Sequence, residues 1–595
     1  DGLAFDANIN KSLIKESDIV TLLPTLDLPN YYDLTFSNLD VKYIGTVKKF
    51  NVQLKSNMNS GYLDLNTNLD FTKQDLVYGL QFKTENLDLS PFINTATGFN
   101  LSGNIQGTGT DIEKVVASVM VKTDYKSFFN GFEIDSLDLF VGASEKKIKS
   151  ELSGYINDTR FMANGDLDFT DKNLPTYNLS GKINSFDISR FNTDSLNEVN
   201  SNLNLSFAAS GRSFDVDSLT GNIDLSLGES DYNNTSIMPA DFKLNIQQVD
   251  SVRSINLESD ILDFKIEGNF SLKAAIDILT YEAKTIVALI QDKADELNPI
   301  GEAKSTKRIT ENDTIPSFLK NKLKFDYSFK FNDFELISTL IGSEKLDILG
   351  SGNGTVYNDS TNFSISTDLD IDYFVNMVSG NMLYLSGINT TFKFNRDNRK
   401  LSFDNLFGSV SFTNKRFYAG SELKNVTADL IFNQSKLIFN STATINGMIN
   451  AELDGKLIMN PNIQNLVLEY VSVKYLDEEW ANNDDILIDL ATNYVKIKSL
   501  NIFNDKTEIN CKGNVFSDGK LDLSFNVLNV DGKIFSKYLL GAIDRKLNMD
   551  IDFESNITGT LEEPILVANL NGNDLRYDKT NLGNLVSNFE YNNSN

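Results

Sequence analysis

Carboxylate side chains are the most abundant candidate metal-binding or acid–base groups in this sequence, and their spacing argues against both roles. Asp368, Asp370 and Asp372 resemble part of a calcium loop in composition. A calcium loop of the EF-hand type needs a turn-forming glycine and a terminal glutamate at fixed offsets. These three aspartates instead alternate with Leu369 and Ile371, which is the period of a β-strand with one wetted face. We therefore interpret them as the solvent-facing row of a strand.

Two other motifs are weaker candidates for chemistry. The glycine-rich segment 350–355 lacks the Gly-Lys-Ser/Thr ending and the following helix of a phosphate-binding loop. Cys511 is the only cysteine, which excludes an internal disulfide and a cysteine-rich zinc site. The sequence contains no histidine, which excludes Ser–His–Asp catalysis, Cys–His catalysis and histidine-ligated metals. We predict that the protein is not an enzyme and that it uses no cofactor.

The composition is that of a large folded protein with an acidic surface. The chain has 595 residues, of which 41% are hydrophobic, and this is enough apolar material for a sizeable core. It carries 54 Lys and Arg against 82 Asp and Glu, a formal charge of −28, with the acidic residues scattered along the chain. Phosphate binding requires a basic patch. Nucleic acid is therefore not an expected partner, and a bare anionic membrane surface is disfavoured for the same reason.

Alternating apolar and polar residues fill most of the chain and predict strands. In the stretch 547–575, Met549, Ile551 and Phe553 alternate with polar residues, and a turn containing Gly559 and Pro564 leads into a second alternating run. Similar runs are separated by Asn, Asp, Gly and Ser at intervals of about 8–12 residues. Roughly 40–50 such strands in single file, at about 4.8 Å each, would extend on the order of 200 Å. We predict an all-β fold, an elongated repetitive β-sheet rod with short helices.

A repeat of about four copies organises these strands. Each copy starts with a short helical segment and continues with a strand, a glycine turn and another strand. The turns that begin at Gly109 and Gly559 align with one gap, which places Ala117 against Ala568. Chance similarity among hairpins is the alternative explanation. The four predicted helical segments are 87–98, 185–192, 333–342 and 530–541.

One stretch has the period of a long helix rather than of strands. Apolar residues recur every three or four positions from Leu272 to Leu297, which predicts an amphipathic helix of about seven turns ended by Asn298-Pro299. Charged residues such as Glu282 exclude a membrane span. The helix either packs on an apolar edge or mouth of the sheet, or serves as a gate or docking helix. The predicted apolar stripe consists of Leu272, Ile276, Leu279, Ala283, Ile286, Val287, Ile290, Ala294 and Leu297.

These patterns predict three regions. A repetitive β-groove segment occupies 1–270, the amphipathic helix and a polar linker occupy 271–316, and a second repetitive β-groove segment occupies 317–595. The sequence begins and ends abruptly within patterned runs, which indicates a fragment of a longer chain.

The apolar rows of the strands admit two interpretations that alternation does not distinguish. The rows either fill an ordinary β-core, or they line an apolar trough that is too wide for its own side chains to fill. An open trough would take acyl chains, which gain about 0.8 kcal/mol for each buried CH₂. The predicted groove lining consists of Leu203, Leu205, Phe207, Ile223, Leu225, Leu227, Phe363, Ile365, Leu369, Ile371, Met549, Ile551 and Phe553.

Three features together resemble the TamB-like branch of the AsmA-like superfamily, in the form found in Bacteroidetes. They are the turn–strand motif GTLEEPILVANLNG at 559–572, the repeated unit of short helix and glycine turn, and the strand that enters a long helix at 268–290 followed by YSFKFNDFELISTLIG. The resemblance implies a β-taco rod with an apolar interior in the periplasm of a Gram-negative bacterium. It also implies an inner-membrane anchor outside this sequence.

The resemblance implies a non-enzymatic function. Such proteins look like bridges that carry phospholipid between the inner and outer membranes, and the same group is described as assisting outer-membrane protein assembly and protein secretion. The expected partners are phospholipid acyl chains and an outer-membrane barrel of the TamA-like type. The competing class is a β-solenoid surface adhesin or structural interaction protein with a filled core.

Overall fold

The computed structural model describes residues 2–15, 17–18, 21, 35–58, 61–90, 95–190, 199–296, 314–460, 463–476, 478–531 and 547–592. The chain divides into two compact units. The first comprises Asp1–Phe264 with Thr339–Gly342, and the second comprises Lys265–Ser338 with Ser343–Asn595.

The first unit consists almost entirely of strands, with a 3-10 turn at Ile188–Arg190. Its last strand, at 262–269, runs past the unit boundary into the second unit. In chain order the strands are β1 (Ala4–Lys15), β2 (Thr35–Thr46), β3 (Lys49–Met58), β4 (Tyr62–Asp70), β5 (Val77–Glu85), β6 (Thr97–Gly98), β7 (Leu101–Thr108), β8 (Val116–Thr123), β9 (Ser127–Phe129), β10 (Phe132–Ser144), β11 (Lys147–Ile156), β12 (Thr159–Asp168), β13 (Thr176–Phe186), β14 (Ser201–Arg212), β15 (Thr220–Leu227), β16 (Ser230–Tyr232), β17 (Thr235–Ile237), β18 (Ala240–Val249), β19 (Val252–Ser259) and β20 (Leu262–Asn269).

The second unit adds helices to the same kind of sheet. The long helix α1 (Leu272–Glu296) comes first, and 3-10 turns lie at Ser317–Lys320 and Phe403–Asn405. A short helix α2 (Glu335–Leu340) starts in this unit, and its last two residues are counted with the first unit. The strands are β21 (Leu323–Phe331), β22 (Lys345–Asn358), β23 (Asn362–Val378), β24 (Asn381–Asp397), β25 (Leu406–Tyr418), β26 (Glu422–Asn433), β27 (Lys436–Ile445), β28 (Ile449–Met459), β29 (Ile463–Tyr475), β30 (Glu478–Ala481), β31 (Ile486–Ala491), β32 (Tyr494–Asn504), β33 (Thr507–Phe516), β34 (Leu521–Asp531), β35 (Leu547–Gly559), β36 (Pro564–Tyr577) and β37 (Thr580–Asn592).

Within each unit the strands pair antiparallel, and most pair with the next strand in the chain, because an antiparallel pair needs only a short turn. A short strand is bypassed in a few places, where β5 pairs with β7, β8 with β10, β15 with β18 and β29 with β31. The predicted all-β fold with short helices and one longer helix is confirmed. The three aspartates Asp368, Asp370 and Asp372 lie exposed on β23, and the segment 350–355 is the middle of β22.

The repeat is partly visible in the described residues. The 3-10 turn at Ile188–Arg190 and helix α2 lie inside two of the predicted helical segments. The other two segments, at 87–98 and 530–541, lie partly or mostly outside the described residues. Gly109 and Gly559 occupy turns with φ of 75° and 82°, a conformation that favours glycine. Pro564 is the first residue of β36, where its missing N–H is tolerated.

Many of the best-buried apolar side chains lie near the ends of strands. In the first unit, Met58 and Leu87 form a small core with Phe36, Leu63 and Phe99 around them. In the second unit the buried residues near α1 are Ile278, Leu319, Leu323, Val356 and Phe363. No helix in the described ranges combines the length and hydropathy of a bilayer-spanning segment.

Candidate apolar binding surface

Directly paired residues in a sheet point to the same face, so the strand registers define rows of side chains that cross many strands. In the first unit one such row crosses fourteen strands, from β1 to β18, and each of its members is apolar or glycine. We call it the first apolar ladder. Its members are Ile9, Val41, Leu54, Leu65, Phe82, Gly103, Val121, Leu139, Leu152, Ala163, Gly181, Phe207, Leu225 and Phe242.

The second unit contains a row of the same character across fifteen strands, from β21 to β36. We call it the second apolar ladder. It contains no charged and no hydrogen-bonding side chain, and four of its members are buried: Phe325, Val356, Phe394 and Leu457. Its members are Phe325, Val356, Ile365, Phe394, Gly408, Phe432, Leu437, Leu457, Leu466, Ile488, Ile497, Gly513, Leu523, Ile557 and Leu566.

The opposite face is polar, as the alternation predicts. The row next to the first apolar ladder runs from Asn8 through Lys42, Gln53, Asn66 and Gln81. Cross-strand ion pairs lie on this face, such as Lys55 with Asp64 at 2.8 Å. Exposed pairs of this kind contribute little stability. These ion pairs show that charged side chains lie on the face opposite the first apolar ladder.

The structure places the predicted lining residues on the apolar face of each unit, but at different depths. Phe207 and Leu225 belong to the first ladder and Ile365 to the second, and the others lie on the same strands at even spacing from these rows. Leu205, Ile223, Leu369 and Phe553 are half-buried, as is Ile365. Six are buried, and little of their surface is left for a ligand: Leu203, Leu227, Phe363, Ile371, Met549 and Ile551.

Side chains of this face differ in exposure along β14 and β15. On β14, Leu203 is 9% exposed and Phe207 is 37% exposed, and on the neighbouring β15, Leu227 is 9% and Leu225 is 38% exposed. Phe207 and Leu225 are directly paired. Each therefore presents over a third of its surface in the middle of a face whose neighbouring side chains are apolar. That surface is open to a ligand without any rearrangement of the strands.

Aromatic rings on the apolar face lie across glycines of the adjacent strand. A Cβ at Gly181 would sit 2.3 Å from the Phe207 ring, and a Cβ at Gly103 would sit 2.5 Å from the Phe82 ring. The same arrangement occurs in the second unit, where Phe329 covers Gly352. Because these rings lie along the sheet instead of standing on it, they occupy less of the space above the apolar face. Sequence reasoning missed these glycines, although glycine inside a strand pattern signals a close approach.

A cavity opens on the face opposite the first apolar ladder. It has a volume of about 790 Å³ in the first unit. Most of its lining side chains belong to the polar rows, with Met120, Phe140 and Met162 as an apolar floor. The apolar ladders are the better candidate site, because they continue across fourteen and fifteen strands whereas this cavity is lined by six.

Burial shifts the pKa of some titratable groups on the apolar face, among them Cys511 and Tyr327. Burial raises the pKa of the Cys511 thiol, which disfavours the reactive thiolate. Burial likewise raises the pKa of Tyr327, whose hydroxyl lies 2.5 Å from that of Thr367. Within the described residues, no group of three or more acidic or cysteine side chains is placed to hold a metal ion. The raised pKa values of Cys511 and Tyr327 both favour the uncharged form of the side chain.

One buried ion pair interrupts the apolar face of the second unit at its edge. Arg396 on β24 and Glu282 on α1 have side chains that are 0% and 1% exposed. The Arg396 guanidinium donates to both carboxylate oxygens, with Nε 2.8 Å from Oε2, and to Asn398 Oδ1 at 3.2 Å. Asn398 in turn donates to Asn358 Oδ1 at 2.8 Å. This satisfied network fixes α1 to one end of β22, β23 and β24.

The chain matches no protein-family model, no curated protein and no solved structure.

Proposed function

We propose that this protein holds phospholipid acyl chains along its apolar ladders and conducts them across a bacterial envelope without catalysis. The observation that carries the proposal is the combination of an unbroken apolar row with two directly paired side chains, Phe207 and Leu225, that remain open to solvent. The first ladder crosses fourteen strands without a charged residue. Phe207 and Leu225 remain 37% and 38% exposed on it.

The energetics of such a surface favour a long apolar ligand. An acyl chain of about 16 carbons gains on the order of ten kcal/mol when its CH₂ groups leave water, at about 0.8 kcal/mol each. The gain is spread along the ladder and depends on no single residue. A ligand held in this way can move from strand to strand, because each position is replaced by a chemically similar neighbour.

The resemblance to TamB-like proteins supports the setting of this activity. It implies a periplasmic setting, with an inner-membrane anchor and an outer-membrane barrel partner. Assistance to outer-membrane protein assembly and secretion belongs to the same proposal, since an apolar face that accepts acyl chains also accepts the apolar segments of unfolded barrel proteins.

Two adjacent substitutions test the proposal. Phe207→Arg places a charge on the apolar face, and Ala208→Arg places the same charge on the polar face one residue away. Both positions are exposed, so both variants are expected to fold. Phospholipid that co-purifies with each variant is extracted and measured by mass spectrometry, and lipid transfer between donor and acceptor vesicles is followed in parallel.

We expect the wild type and Ala208→Arg to retain phospholipid and Phe207→Arg to lose most of it. Equal lipid content in the two variants would contradict the proposal. Absence of lipid from the wild-type protein, with no transfer between vesicles, would favour the alternative of an adhesin or structural protein with a filled core.

A further inference from the structure

The face opposite the first apolar ladder carries a long concavity in the first unit. The cavity of about 790 Å³ on this face shares Gln81 and Asn104 with a second cavity of about 620 Å³. Together the two cavities extend over seven strands that are paired in succession, from β4 to β12. Six steps between strands, at about 4.8 Å each, give a length of about 29 Å. We call this concavity the polar groove.

One register row runs along the polar groove and combines two kinds of side chain. Carboxamides lie at both of its ends, and two apolar side chains and a carboxylate lie between them. A carboxamide offers two hydrogen-bond donors and an acceptor oxygen in one plane, whereas a carboxylate only accepts. The members of the row, in order across the strands, are Gln81, Asn104, Met120, Phe140, Glu151 and Asn164.

The apolar side chains of the groove are exposed on a face that is otherwise polar. Met120 is 50% exposed, and Met162 in the neighbouring row is 39% exposed. The Phe140 ring leans along its own strand, since a Cβ at Gly142 would lie 3.2 Å from Cζ of the ring. Gly142 is two residues further on the same face, so the ring lies along the sheet with one side towards the groove. The middle of the groove is therefore a flat apolar platform bordered by hydrogen-bonding groups.

The charge of the groove favours a neutral ligand. The charged side chains that line the two cavities are Lys122, Asp138 and Glu151, which sum to −1. Lys122 and Asp138 are register partners, so the positive charge lies beside a carboxylate and is offset there. The whole chain has a formal charge of −28, which repels polyanionic ligands.

The position of the groove argues against a peptide strand and an acyl chain. An extended peptide is recognised through unpaired backbone groups at a sheet edge, whereas β4 and β12, at the two ends of the groove, are each paired on both sides. An acyl chain would take the carboxamides out of water without hydrogen-bonding them, which is unfavourable.

A sugar chain matches both kinds of side chain at once. The C–H groups on the face of a sugar ring pack on the negative face of an aromatic ring. The hydroxyls around its edge both donate and accept, as carboxamides do. The length of one sugar unit is also close to the spacing of neighbouring strands, about 4.8 Å, so successive units meet successive strands.

We propose that the polar groove binds a neutral linear oligosaccharide, with one sugar ring packed on Phe140 and Met120. The hydroxyls of that sugar and of its neighbours bond to Asn104, Glu151 and the other polar members of the row. This is a second function of the chain. It uses the face of the sheet opposite the proposed lipid surface and does not depend on lipid binding.

The test is isothermal titration calorimetry of the full chain with four neutral hexasaccharides: cellohexaose, maltohexaose, mannohexaose and N-acetylchitohexaose. Phe140→Ala removes the platform, and Phe207→Ala removes a ring from the opposite face as its control. Gln81→Ala and Gln247→Ala form a second matched pair. Both glutamines are exposed on the polar face, but Gln247 lies on β18, outside the groove. This second pair decides the question if Phe140→Ala does not fold.

We expect at least one hexasaccharide to bind the wild type with a Kd below about 1 mM. Phe140→Ala should weaken that binding at least about tenfold and Gln81→Ala at least about threefold, while the two controls should change it less than about twofold. Phospholipid that co-purifies with Phe140→Ala should equal that of the wild type.

Three results would overturn the proposal. One is the absence of binding of all four hexasaccharides to the wild type up to about 10 mM. Another is an equal effect of a groove variant and its control. The third is a parallel loss of sugar and phospholipid in Phe140→Ala, which would show that the two faces do not act separately. Failure of the lipid proposal alone, with sugar binding retained, would leave this one supported.

Discussion

Replacing Arg396 by methionine leaves Glu282 as a buried carboxylate without a counter-ion. The two side chains are 0% and 1% exposed in the native chain, and the guanidinium donates to both carboxylate oxygens. Hydrogen bonds to charged groups contribute about 1.5–3 kcal/mol each, so two of them account for about 3–6 kcal/mol. Removal of one partner of a buried pair independently suggests about 3–5 kcal/mol. We expect Arg396→Met to destabilise the packing of α1 on the sheet by about 3–5 kcal/mol.

Two comparison variants separate the buried pair from a general effect of removing arginine. Glu282→Leu combined with Arg396→Met removes both charges, and most of the lost stability should return because no buried charge is left unpaired. Arg399→Met removes a nearby arginine whose side chain is 68% exposed and pairs with Asp397. A surface pair of this kind contributes less than about 1 kcal/mol.

Hydrogen exchange of the α1 backbone amides is the appropriate assay, because a chain of two units need not unfold in one step. Since each 1.4 kcal/mol is a factor of ten, Arg396→Met should accelerate exchange in α1 about 100- to 4,000-fold. The reasoning is refuted if Arg396→Met and Arg399→Met leave α1 equally protected. It is also refuted if the double variant exchanges as fast as Arg396→Met alone.

Three further predictions concern single side chains of the strands. Gly181→Ala should lower the urea midpoint by the equivalent of about 1–3 kcal/mol, because its Cβ would lie 2.3 Å from the Phe207 ring. Gly228→Ala should leave the midpoint unchanged, since the atoms nearest to its Cβ are 3.5 Å away. A loss of stability that persists in a Phe207→Ala background would contradict this explanation. Asn414 is 2% exposed between Ile388 and Val426, and neither of its side-chain polar atoms has a partner among the described residues. Asn414→Val should therefore raise the free energy of unfolding by about 1–3 kcal/mol, and a decrease would show that the amide has a role. Hydrogen bonds from Thr72, with a contribution from Lys49, lower the pKa of Asp70 from 3.8 to about 2. Because the pKa of Asp70 is lower in the folded chain, the stability that Asp70 contributes is present above pH 3.8 and is lost as the pH falls towards 2. Thr72→Val should raise the pKa of Asp70 measured by NMR titration. An unchanged pKa would refute the role given to Thr72.

The strands were predictable because their information is local. Alternation within β23 and β35 is enough to place Ile371 and Ile551 on the apolar face and Asp370 and Asp550 on the other. The long helix was predictable for the same reason, since its period of three and four residues is contained in one stretch. Its predicted start at Leu272 agrees with the structure.

The orientation of α1 was not predictable from that stretch. A helical pattern assigns Glu282 to the solvent side, yet its partner Arg396 lies 114 residues away in sequence. Pairing over such a distance depends on the registers of β22, β23 and β24, which a single sequence does not reveal. The apolar residues Ile276, Val287 and Ile290 consequently lie outward instead of on the sheet.

The extent to which each side chain of the apolar face is buried was likewise not predictable from the sequence. Leu203 and Phe207 occupy equivalent positions in the alternation of β14, but one is 9% and the other 37% exposed. Leu203 pairs with Phe186 beside the 3-10 turn at Ile188–Arg190, whereas Phe207 pairs with Gly181, which has no side chain. Since Ile551 is only 3% exposed, it is a poor position for a charged test substitution, and Phe207 is the better one.

The central claim is that acyl chains contact one face of the sheet and not the other. Its most direct test is bimane fluorescence from single cysteines, Phe207→Cys and Ala208→Cys, each in a Cys511→Ser background, with phospholipids brominated along their acyl chains as quenchers. The account predicts strong quenching at position 207 and weak quenching at position 208, since the two side chains lie on opposite faces. Equal quenching at both positions, or none at either, would contradict it.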